Sequence, residues 1–388
     1  MRRVFALSFA ALVLSLFIGP EGLLRAQQAP RVTIEDPSGR VLPALRARLE
    51  EASSRLVRLS FWGGSHTASD QYTGALRRRL QQRLGDGGTG LFFPAPPMMF
   101  YERRDVTLES ARGFTGVHAL RATTPLPLGS SGMALDARGE AMARFRLRHG
   151  IEGTVRVFVE NVGSEEGSVT LTAGPLRETR TVAAGARVEL SSPLTSRPST
   201  TFTLHASHVR VLGISAENGR GVVVENFGVS GARAERAHHW ESASFDAQLD
   251  ALAPDVAFLA YGTNESIGRR PIEDERRALE ALITRIRARA PRLVCVVMGP
   301  SNYPLQRGGR WTVNPRNSLI REAFRAAAFA QGCGFVDLIA FQGGPSNLEA
   351  WVSEGRVLDD HVHMTDAAHE ELARALVETM LGRSRSEE

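Results

Sequence analysis

The chain has 388 residues, 43% of them hydrophobic and 23% charged, with a formal net charge of +5. That apolar content is ordinary for a folded protein and the length suffices for two domains, which excludes a disordered or low-complexity chain. All 47 basic residues are arginine; with lysine absent throughout, composition bias accounts for them better than phosphate recognition, and nucleic acid is not an expected partner.

In chain order, the first feature is a leader. Met1-Arg2-Arg3 precede an apolar run over residues 4–18, followed by Gly19-Pro20 and a short mixed stretch to Ala26. A charged start, a short apolar segment and a small residue before a polar stretch describe a secretory signal peptide cut after Ala26, although Leu24 is an imperfect match to the usual small residue. About 15 apolar residues are too few to cross a bilayer comfortably. The mature protein is therefore expected in the periplasm or outside the cell, without a stable membrane span. Losing Arg2, Arg3, Arg25 and Glu21 lowers the formal charge to +3.

Five short apolar runs, at residues 56–61, 222–227, 256–261, 293–298 and 335–339, read as buried parallel strands. Helical patterns at 72–84, 271–290, 316–331 and 366–381 alternate with them, which argues for an α/β sheet covered on both faces. The Arg77-Arg78-Arg79 run lies in the first of these helices and is expected on a solvated face. Between the first two strands, residues 110–219 change character. Segments such as Thr154-Val155-Arg156-Val157-Phe158-Val159-Glu160 alternate apolar and polar positions between Gly, Ser and Pro clusters, as half-buried strands do. This predicts an inserted all-β unit of sandwich or jelly-roll type, nearly free of helix. The division is then 1–26 leader, 27–109 and 220–388 α/β domain, 110–219 insert. Cys295 and Cys333 lie in or beside strand-like runs; an oxidising compartment permits a disulfide, and two separate buried thiols is the preferred reading.

Three places carry chemistry. The first strand ends in Gly63-Gly64-Ser65, where paired glycines let the chain turn sharply and expose the serine at the carboxyl end of the sheet. Before the last helix stands Asp360-His361-Val362-His363, in which an aspartate three residues before a histidine can fold back onto its imidazole. Ser65 is then a nucleophile, His363 its base and Asp360 the group that orients the base. Gly231 and Asn264 each follow a strand, and with the Ser65 N–H they offer three donors to an oxyanion. A competing arrangement places a metal on His361, His363 and Asp360, since alternate residues of an extended segment face one way.

Taken together, Gly63-Gly64-Ser65, Gly231, Gly262-Thr263-Asn264 and Asp360–His363 resemble the four sequence blocks of the SGNH (GDSL-like) hydrolases. The resemblance covers about residues 43–108 and 220–382. It implies a flavodoxin-like three-layer α/β domain and ester hydrolysis through an acyl-serine, with no metal and no cofactor. The stretch Leu80–Pro94, ending Gly90-Leu91-Phe92-Phe93-Pro94, resembles the branch of cell-wall and polysaccharide O-acetylesterases, some of which carry a carbohydrate-binding-like β domain at this place. Two departures stand out: Gly64 replaces the family's usual aspartate, and His361 replaces a glycine. The expected substrate is an acylated polysaccharide, or another small ester. Acetyl transfer to a second sugar, or glycan binding by an inactive hydrolase fold, are the alternatives. Tyr303 and Trp311, in a loop at 301–311, serve either sugar stacking or packing.

Overall fold

A computed structural model describes residues 31–382. The leader reading, residues 1–26, lies outside the described residues. Within them, no helix is long and apolar enough to cross a membrane.

A five-stranded parallel sheet forms the centre, with spatial order Gly221–Gly228, Leu56–Gly63, Val256–Ala260, Val294–Met298 and Gly334–Val336. Side chains alternate along each strand, so each strand supplies two cores. Val256 and Phe258 pack against helices Val41–Glu50, Gln71–Leu84 and Asp366–Leu381 through Leu45, Leu76 and Leu376. Ala257 and Leu259 face helices Ser242–Leu252, Ile272–Arg289 and Pro315–Ala330 through Phe245, Leu279 and Phe324. Burial on both faces is why these strands are almost uninterrupted apolar runs. In chain order the sheet reads 2-1-3-4-5, the flavodoxin-like winding. Its direction reverses at the first strand, so a crevice opens beyond the carboxyl end of Leu56–Gly63.

All five anticipated strands are present, the last shortened to three residues before the short helix Leu338–Phe341. The four anticipated helices form within a residue of the expected limits. Two further helices, Val41–Glu50 and Ser242–Leu252, complete the layers. Cys295 and Cys333 are joined by a disulfide rather than being separate thiols. The strand containing Cys295 lies next to Gly334–Val336, which brings the two sulfur atoms together.

A second, antiparallel sheet of nine strands is built from the stretch between the first two parallel strands. It also takes in Gly88–Phe92, paired with Val209–Asn218, and Val106–His118, paired with Met133–Leu147, so it starts earlier than residue 110. One buried apolar cluster runs from Trp62, Phe227 and Leu259 into Phe145, Val157, Phe202 and Val211 of this sheet. A buried ion network crosses the same boundary. Arg58 on the first parallel strand meets Glu225 at 2.5 Å and Glu217 at 2.6 Å, and Glu217 also meets Arg156 at 2.8 Å. Arg77 is a correction to the sequence reading. It is buried and forks onto the carboxylate of Asp70 at 3.0 Å, while Arg78 and Arg79 reach Glu370 at the surface.

Candidate active site

The turn after Leu56–Gly63 is set by steric limits. A Cβ on Gly63 would lie 2.4 Å from Thr67 Oγ1 and 2.7 Å from the Ala260 carbonyl oxygen, so only glycine lets the chain pass. Gly64 then opens the short helix Ser65–Ala68, its carbonyl accepting from Thr67 and Ala68 N–H. Ser65 is the first residue of that turn and stands at the switch point of the sheet.

The segment before the final helix comes to meet it. His363 Nε2 lies 2.8 Å from Ser65 Oγ, and His363 Nδ1 lies 2.6 Å from Asp360 Oδ2. The other oxygen of Asp360 accepts from the N–H groups of Val362 and His363, both at 2.9 Å. Burial alone would raise the Asp360 carboxyl, but these N–H donors and the imidazole outweigh it and hold it below its ordinary value. Nδ1 faces a carboxylate and therefore carries the proton, which leaves Nε2 free to accept one from Ser65. The His363 and Asp360 side chains are 41% and 48% exposed, so water reaches the pair.

Asn264 lies over Gly64: a Cβ there would be 2.7 Å from Asn264 Nδ2. That amide donates one hydrogen to the Ala232 carbonyl at 2.9 Å, and its second hydrogen remains for another acceptor. Gly231 precedes Ala232 with φ +83°, a left-handed conformation that glycine adopts without strain. A cavity of about 20 Å³ is lined by Gly64, Ser65, Ala232, Tyr261 and Asn264 among others.

His361 and His363 diverge. The His361 ring stacks on Trp311 at 4.4 Å, whereas His363 is taken up by Ser65 and Asp360. Among the described residues no group of three or more His, Cys, Asp or Glu is gathered as a metal-binding set.

Two residues of the site were not singled out by sequence reasoning. His66 Nε2 lies 3.2 Å from the Val362 carbonyl, and its ring lies between those of His363 (5.2 Å) and His369 (5.6 Å). Burial, then the neighbouring His363, push the His66 imidazole down to about 4, so it is neutral at ordinary pH and donates to that carbonyl. Glu265 is buried and accepts from Ala234 N–H and Gly262 N–H, each at 2.8 Å, tying the Gly231 loop to the Asn264 loop. Burial pushes its carboxyl up to about 7 despite those donors. The position of Glu265 in the sequence, just after Gly262-Thr263-Asn264, was the one signal available.

At a flavodoxin-like switch point a serine, a histidine and an aspartate are hydrogen-bonded in series, an arrangement able to carry out ester hydrolysis. Residues 198–371 match the family model described as the GDSL-like lipase/acylhydrolase family. No curated protein matches the sequence. Among solved structures, the fold is similar to that of a peptidoglycan O-acetylesterase, with TM-score 0.76 and 22% identity over 90% of this chain and 97% of that one. An acetyl xylan esterase, AlAXEase, is similar over 41% of this chain and 80% of that one, with 16% identity and TM-score 0.32. The psychrotrophic esterase EstA from Pseudoalteromonas sp. is similar over 41% and 76%, again with 16% identity and TM-score 0.32.

Proposed function

We propose that this protein is an exported serine esterase that removes O-acetyl groups from a glycan such as peptidoglycan. The contact that carries the reading is the 2.8 Å hydrogen bond between Ser65 Oγ and His363 Nε2, made between residues 298 positions apart. Similarity to the fold of a peptidoglycan O-acetylesterase supports the substrate class. The small cavity beside Ser65 suits a short acyl group and not a long chain.

In this mechanism Ser65 Oγ attacks the acetyl carbonyl carbon as its proton passes to His363 Nε2. Ser65 N–H, Gly231 N–H and Asn264 Nδ2–H hold the oxyanion, and Asp360 stabilises the imidazolium. The carbon–oxygen bond to the sugar breaks, and the leaving alkoxide takes the proton from His363. Water then attacks the acyl-serine, gives a proton to His363, and acetic acid departs as Ser65 Oγ recovers that proton. Deacylation by a second sugar would make the same site a transferase; the exposed His363–Asp360 pair favours water.

The proposed division is a leader over 1–26, a hydrolase domain over 27–109 and 220–388, and a strand-rich insert over 110–219 with Gly88–Phe92 added to its sheet. The insert would hold the polymer and raise the concentration of esters at the crevice. Export accords with the leader and with the disulfide. Acetate release from O-acetylated peptidoglycan tests the proposal. Ser65→Ala is expected to lower turnover by about 10⁴ or more, and equal release by both forms would refute it.

A further inference from the structure

Between the strand Val294–Met298 and the helix Pro315–Ala330, a small hairpin projects on the crevice side, with strands Leu305–Arg307 and Arg310–Thr312. Its turn is Gly308-Gly309, at φ +55° and +76°. Arg307 and Arg310 are direct cross-strand partners, and both are exposed. Like charges opposed in this way disfavour a hairpin. Among the described residues no ion pair joins a carboxylate to either one, so two facing guanidinium groups stand uncompensated at one tip. An uncompensated cationic pair on a two-glycine tip fits an anion supplied from outside the chain.

Beneath the hairpin lies a cavity of about 140 Å³, lined by Tyr303 and Trp311, by the amides of Asn302 and Asn317, and by Glu349. Two aromatic faces suit a sugar ring; the Asn317 amide is taken up by Ser266, Ser301 and Tyr303, which leaves Asn302, with one hydrogen on the Gly344 carbonyl, as the cavity's amide. Trp311 forms the wall toward Ser65, because its ring stacks on His361, two residues before His363. His361 is held at φ +61°, a conformation costly for a residue with a side chain, by that stack and by Nδ1–H donating to the Asp359 carbonyl at 2.9 Å. Glu349 lies 4.0 Å from His361 Nε2 with its side chain 68% exposed, and would repel an acid placed at that edge of the cavity. A ligand's acid therefore belongs outside, at the arginine tip.

We propose that this hairpin and cavity form a subsite for a carboxylate-bearing glycan unit, its sugar ring against Trp311 and its acid on Arg307 and Arg310. The proposal rests on the glycan-esterase reading and deepens it: the substrate is an acidic glycan, held on the Trp311 side of the crevice.

Binding without turnover tests it. Soluble peptidoglycan fragments lacking O-acetyl groups, and a neutral N-acetylglucosamine oligomer, are titrated calorimetrically into the Ser65→Ala protein. The acidic fragments are expected to bind, and to weaken at least tenfold in the Arg307→Gln/Arg310→Gln form and on raising salt. The neutral oligomer should be insensitive to that double change and weakened by Trp311→Ala. Absence of binding, equal affinity with and without the arginines, or indifference to Trp311→Ala would overturn the subsite. Failure of the esterase reading shows separately, as wild-type protein that releases no acetate.

Discussion

His66 follows Ser65 directly in the chain, yet its bond is to the Val362 carbonyl, next to His363. In the proposed relay it is a positioning residue, tying the serine turn to the segment that carries the base. Small misplacement of reacting groups is costly, so His66→Leu is expected to lower kcat by about 10–100-fold with little change in KM. His66→Gln, which can still donate to the carbonyl, should recover part of that loss. Leucine and glutamine variants of equal activity would refute the assignment. Gly64 is explained at the same scale. It departs from the family's aspartate, and in this chain the space a side chain would need is filled by the Asn264 amide. The sequence displayed Ser65, Asp360 and His363 through strand ends and local spacing. His66 was hidden because its partner lies 296 residues away.

Loops past adjacent strands depend on Glu265, which spans Gly262 and Ala234. Its carboxyl is raised from the ordinary 4.5 to about 7, chiefly by burial. A raised carboxyl contributes stability that is complete below the unfolded value and declines as pH rises through the folded one. The free energy of unfolding should therefore fall between about pH 4.5 and 7, by an amount on the order of 3 kcal/mol. Glu265→Gln should lack this component in urea titrations across that range; identical slopes for both proteins would contradict it. Strands were legible as apolar runs because both their faces are buried. The helix Val41–Glu50 was not, since Pro43 reads as a breaker although it sits in the first turn, where no N–H is needed. Arg77 looked solvated within a run of three arginines. Its partner Asp70 is in a left-handed turn at the head of the same helix, and no pattern of residue types reveals that pairing.

Across the whole molecule, one apolar cluster and one ion network join the two sheets. Burial alone would raise Glu217, but Arg58 and then Arg156 outweigh it and bring its carboxyl down to about 2. Arg58→Leu leaves the buried Glu225 carboxylate without a cation, Glu217 keeping Arg156, and should cost about 3–5 kcal/mol. Because the core is continuous, wild-type protein is expected to unfold in a single thermal transition followed by circular dichroism and tryptophan fluorescence together. Two separated transitions would show that the antiparallel sheet is independent. Alternation had announced that sheet, but not that its first strand is Gly88–Phe92 or that it shares a core with the parallel one. Shared burial depends on how two sheets meet, which periodicity along one strand does not record.

In the proposed mechanism Ser65 Oγ is the acylated atom and His363 its base. Mass spectrometry of the intact protein and its peptides after treatment with an organophosphonate ester measures this directly. One adduct is expected, on the peptide containing Ser65, absent in Ser65→Ala and greatly slowed in His363→Ala, with ester hydrolysis lost in parallel. Hydrolysis that persists in Ser65→Ala, or an adduct on another residue that tracks activity, would contradict it.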